Sequence, residues 1–151
     1  MLLCGNKSLN NYAIPESAFG GEENTKRLYN EVPIFLDHDI EKGPSRGTRD
    51  LAGMVVNARL ENGRPRGDIL LSENAAGNEL KRLYELGQKA QKVGAKLRNV
   101  GMSHVASYQF AKDRKSVESV KEVFSVDLVI RPATTKTLFE GTQNMDEAQL
   151  A

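Results

Sequence analysis

Cysteine is nearly absent from this chain. Cys4 is the only one in 151 residues, so no internal disulfide can form, and two histidines, His38 and His104, are too few to complete a thiolate zinc site with it. Long hydrophobic runs are missing too: no stretch approaches the roughly 18–20 apolar residues of a membrane span. The apolar opening Met1–Cys4 gives way at once to Gly5, Asn6 and Lys7, too short for the core of a secretory signal. Neither sign of charge is in excess, with 21 basic against 20 acidic residues, so nothing demands a phosphate backbone as partner. These absences describe a cytoplasmic chain without metal or cofactor, and without nucleic acid or membrane as its default partner. There is no internal repeat and no low-complexity block. Composition is that of an ordinary globular domain, and the length suits one core.

Residues 1–30 hold turn signals at Asn10-Asn11 and Gly20-Gly21, with Pro15 between them, and read as a strand followed by irregular structure or a short helix. Val32 to Asp37 (VPIFLD) is a short apolar run that reads as a buried strand, with His38 at its exit. Asp39 to Asp50 is charged and broken by Gly43-Pro44 and Gly47, the composition of a mobile surface loop that could rim a substrate site. Leu51–Leu60 and Arg66–Leu71 flank Glu61-Asn62-Gly63, and Asn-Gly predicts an antiparallel hairpin because both residues tolerate positive φ. From Asn74 to Val93 the period changes: Leu80, Leu83, Tyr84 and Ala90 line one face of a helix that Gly94 is placed to end. Val100 to Phe110 reads as a strand, and Asp113 to Lys115 as a charged turn. Val117, Val120 and Val123, spaced by threes, predict a helical turn leading into the strand Val123–Ile130, stopped by Pro132. The expected class is α+β, with several strands around one long and one or two short helices.

Three features could carry chemistry. His38 stands between an apolar strand and a loop, where a scaffold can present a general base. Ser103 lies inside an apolar strand, and a nucleophilic serine needs a base within hydrogen-bond reach. His104 does not suit that role, since successive strand side chains point to opposite faces, which leaves His38, 65 positions away. Asp127 sits in the most hydrophobic strand, and a buried carboxylate must be paired or hydrogen-bonded. It either orients an imidazole, as in a Ser-His-Asp triad, or forms a salt bridge with Arg131 or Arg98. Cys4 as an alternative nucleophile has little to commend it, at a terminus expected to be mobile and far in sequence from either histidine.

The ordered segments Asn10-Asn11-Tyr12 with Pro15, Val-Pro-Ile-Phe-Leu-Asp-His-Asp (32–39), Leu-Ala-Gly-Met-Val (51–55), Gly-Met-Ser-His-Val (101–105) and Ser-Val-Asp-Leu-Val with Arg-Pro-Ala-Thr-Thr (125–135), ending in Leu138-Phe139-Glu140, resemble the prohead proteases of tailed bacteriophages. That family is similar in fold to herpesvirus assembly proteases. The resemblance implies a largely antiparallel, closed or partly open β-barrel over residues 1–140, followed by a polar tail, 141–151, suited to a linker or a processed end. It implies a serine endopeptidase acting inside the immature prohead, in the host cytoplasm, on the scaffolding and major capsid proteins and on itself. Ser103 would be the nucleophile, His38 the base and Asp127 the acidic member, with Ser125 at the alternative acidic position on the same strand face. Homodimerisation follows from the same analogy. Arg114 and Arg131 are candidate oxyanion donors, and Glu41 to Arg49 a candidate groove wall. The alternative is a catalytically inactive assembly or scaffold-binding module on the same barrel.

Overall fold

Asn62 and Gly63 adopt φ of 52° and 74° and connect β2 (Leu51–Glu61) to β3 (Arg64–Leu71) as an antiparallel hairpin. Positive φ at both turn residues matches the twist of the two strands, as the dipeptide predicts. The computed structural model to which they belong describes residues 1–5, 7–37, 46–130 and 132–139. The segment before the hairpin supplies α1 (Glu22–Tyr29) and β1 (Pro33–Leu36). After it comes α2 (Ala75–Lys92), where the Asn74 side chain accepts from the Gly77 amide at 2.8 Å and caps the first turn. Gly94, at φ 73°, follows the last turn, and Leu80, Leu83 and Tyr84 turn toward the core. β4 (Val100–Phe110) and β5 (Val117–Ile130) form the second hairpin.

Among the described residues five strands make one mixed sheet in the order β3-β2-β1-β5-β4, parallel between β1 and β5 and antiparallel elsewhere. The α+β class is as expected. Strand pairing does not close the sheet: β3 and β4 are its edges. Two irregular segments run between those edges. Next to β3, the Leu3 amide donates to Pro65 O and the Gly67 amide to Met1 O, at 2.9 and 3.0 Å. From there the Leu2 amide donates to Leu138 O at 2.9 Å, and the Gly5 amide to Thr134 Oγ1 at 3.0 Å. On the far side the Asn99 amide donates to Lys136 O, and the Thr135 hydroxyl to Met102 O of β4.

The expected helical turn over 117–123 is not formed; the whole stretch is strand. Its spacing by threes has another origin. Against β4, the register slips by one residue between Val105 and Ala106, between Ser107 and Tyr108, and between Gln109 and Phe110. At each slip β5 carries one extra residue, so the inward positions fall at Val123, Val120 and Val117, all buried. A bulged strand and a helix can thus present the same apolar period. Cys4 corrects a second expectation: it is fully buried in the core rather than at a mobile end.

Candidate active site

Adjacent strands bring residues of distant sequence into rows, and side chains in a row share a face. Ile34 of β1, Val126 of β5 and His104 of β4 form one row, and Leu36, Leu128 and Met102 another; all six belong to or pack on the core. The row between them faces the other way. It contains Phe35, Asp127 and Ser103: Phe35 pairs with Asp127 across the parallel ladder, and Asp127 with Ser103 across the antiparallel one. Two of the three residues singled out for chemistry therefore stand side by side, on different strands, with Cα atoms about 4.5–5.5 Å apart by ladder geometry. Ser125 lies two residues from Asp127 on the same strand face, opposite Val105. All three polar residues are buried, Asp127 completely and Ser103 to 4% exposure.

His38 lies outside the described residues, as do residues 39–45 and the tail. What is described is the approach to it. β1 ends at Leu36, and Asp37, at φ 61°, turns the chain while its amide still donates to Leu128 O at 2.9 Å. The residue before His38 is thus fastened to β5 one position beyond Asp127.

Asp127 has a buried cationic partner that the sequence did not suggest. Arg46 Nη1 donates to its Oδ2 at 3.1 Å, with both side chains at most 4% exposed. The same guanidinium donates through Nη2 to the carbonyls of Leu36 and Asp37, at 3.1 and 2.8 Å. Its carbon sits 4.6 Å from the Phe35 ring centroid, a cation–π contact in a site sheltered from water. Three acceptor oxygens and a ring hold one arginine, so Arg46 is anchored to the end of β1 and to β5. No periodicity marks Arg46 in the sequence, because its partners come from positions 35–37 and 127. Of the other arginines considered, Arg98 belongs to the loop before β4. Arg131 is outside the described residues. Arg114 is in the β4–β5 turn, beyond Phe110, seven residues along β4 from Ser103. At about 3.3 Å per residue that separation excludes Arg114 as an oxyanion donor for Ser103.

His104 enters a second buried polar cluster that sequence reading missed. Its Nδ1 lies 2.7 Å from the Tyr29 hydroxyl, its Nε2 meets the Tyr108 hydroxyl, and Cys4 Sγ is 3.9 Å from that nitrogen. Tyr29 and Tyr108 are 75 and 4 positions from His104, so no single spacing reveals the group. Burial pushes the Cys4 thiol up to about 12 and raises both tyrosines above their ordinary range. A thiol held protonated in this way is a poor nucleophile, despite its neighbouring imidazole. Among the described residues, no group of three or more His, Cys, Asp or Glu side chains could hold a metal ion. Nor is any described helix long and apolar enough to cross a membrane. Comparison with protein-family models, with curated proteins and with solved structures finds no match to this chain.

Proposed function

We propose that this chain is a serine endopeptidase of the prohead-protease kind, cutting scaffolding and capsid protein, and its own chain, inside an immature capsid. The observation that carries this reading is the row Phe35–Asp127–Ser103, with the chain leading from β1 directly to His38. Asp37, which precedes His38 in the sequence, is bonded through its amide to Leu128 O, one position along β5 from Asp127. The hydrogen bonds that run from the β3 edge through both irregular segments to β4 support the partly open barrel expected of that family.

In the proposed reaction Ser103 Oγ attacks a peptide carbonyl while His38 takes its proton. The imidazolium returns that proton to the departing amine, leaving an ester on Ser103. Water, deprotonated by the same imidazole, then attacks the ester, releases the acid and restores the serine. Asp127 stabilises the charge on His38, and Arg46 positions Asp127. The second reading, a catalytically inactive capsid-assembly or scaffold-binding module, is favoured by one observation: the buried Arg46–Asp127 pair, which gives Asp127 a structural role.

Co-expression with a scaffolding and a major capsid protein, followed by mass spectrometry of the products, separates the two. The endopeptidase reading expects cleaved products with the wild type and none with Ser103→Ala. Well-formed heads with intact scaffold in both cases would leave the module as the function.

A further inference from the structure

A groove of about 910 Å³ runs between the end of α2, the 96–99 loop, residues 7–9 and the 132–139 segment. Its lining has one sign of charge: Lys7, Lys96, Arg98 and Lys136 contribute four cations, and no described Asp or Glu lines it. No carboxylate among the described residues pairs with Lys7, Lys96 or Arg98. In a chain whose net charge is only +1, this is a local concentration that whole-chain arithmetic hides. Its apolar surface comes from Leu97, Pro132 and Phe139 among others. Phe139 is held edge-on against Tyr84, with centroids 4.9 Å apart, so the ring is a fixed wall.

The groove also adjoins the strand that carries Ser103. Thr135, in its wall, donates to Met102 O at 2.9 Å. A Cβ on Gly101 would come within 2.5 Å of Thr135 Oγ1 and 3.1 Å of Pro132 Cγ, so these walls rest on the backbone at Gly101. Gly101 and Ser103, two apart on β4, share a strand face and lie about 7 Å from each other.

We propose that the groove docks an acidic peptide segment of the substrate polypeptide, its carboxylates on the rim cations and an apolar side chain against Leu97 and Phe139. Calling that peptide a substrate rests on the endopeptidase reading; the docking itself does not. A peptide suits the groove better than a nucleic acid strand, because among the described residues Phe139 is the one aromatic side chain in the lining and Tyr84 already packs against it, so these residues offer no series of stacking platforms.

The test uses the full chain carrying Ser103→Ala, so that binding is read without chemistry. Fluorescence anisotropy follows a labelled dodecapeptide of alternating Glu and Leu, its Gln analogue and a labelled oligothymidylate. We expect the Gln peptide to bind about tenfold more weakly, the combined loss of three exposed ion pairs. The exposed substitutions Lys7→Gln, Lys96→Gln and Arg98→Gln together should cause a similar loss with an unchanged melting temperature. Equal binding of Glu and Gln peptides, or tighter binding of the oligonucleotide, would overturn the proposal. Separately, wild-type cleavage that shows no preference for Glu over Gln peptides would remove the groove's role and leave the endopeptidase standing. Selective binding by a chain that cuts nothing would do the reverse.

Discussion

Arg46 and Asp127 are the residues on which the site's architecture turns. Removing one member of a buried ion pair strands the other in a medium that solvates it poorly, at a cost of about 3–5 kcal/mol. Arg46→Ala should therefore lower stability by that order in urea unfolding, while the double change Arg46→Met with Asp127→Asn should recover much of the loss. A loss below about 1 kcal/mol for the single change would show that the pair is not buried in solution. Cys4 supports a second prediction. Its thiol titrates near 12 in the folded chain against an ordinary 9.0, so folding favours the protonated form. That stabilisation is complete below pH 9 and is lost as pH rises toward 12, and the buried tyrosines act in the same direction. The melting temperature should fall above pH 9, and Cys4→Ala should flatten that fall. At pH 8 the native thiol should resist iodoacetamide and react only on unfolding.

Elements show what could be read in advance and what could not. β1, the β2–β3 hairpin, α2 and β4 were legible because each carries its own local signal: an apolar run, Asn62-Gly63, the helical spacing of Leu80, Leu83 and Tyr84 closed by Gly94, a continuous apolar strand pattern. The first part of β5 was not, since its three extra residues shift the inward face by one each time and turn a period of two into a period of three. Only the partner strand determines that, and the partner is not visible locally. Ser103 and Asp127 were legible as polar residues in apolar strands. Arg46, Tyr29 and Tyr108 were not, because their significance lies in contacts across the fold. At this scale Asn74→Ala, which removes the acceptor for the Gly77 amide, should cost about 1 kcal/mol without changing any ligand interaction.

For the whole molecule, the question is how two sheet edges are kept from further pairing. Exposed strand edges invite association, and here the start of β4 and the first half of β3 are covered by residues 1–5 and 132–139 rather than by another strand. Leu138 is central to this cover. Its carbonyl receives the Leu2 amide while its side chain, 2% exposed, packs in the core. Leu138→Ala should destabilise by about 2–5 kcal/mol and speed hydrogen exchange at Leu2, Leu3 and Asn99 more than within β2. The same cover brings the basic groove against the strand of Ser103, so edge protection and the proposed substrate docking use the same segment.

If Ser103 is a nucleophile activated by His38, its hydroxyl is open to covalent labelling. Wild type, Ser103→Ala and His38→Ala would each be treated with a peptidyl phosphonate and mapped by mass spectrometry after digestion. One adduct is expected, on the peptide containing Ser103, abolished in Ser103→Ala and strongly slowed in His38→Ala. No adduct on the folded wild type, or an adduct at another residue that persists in Ser103→Ala, would contradict it.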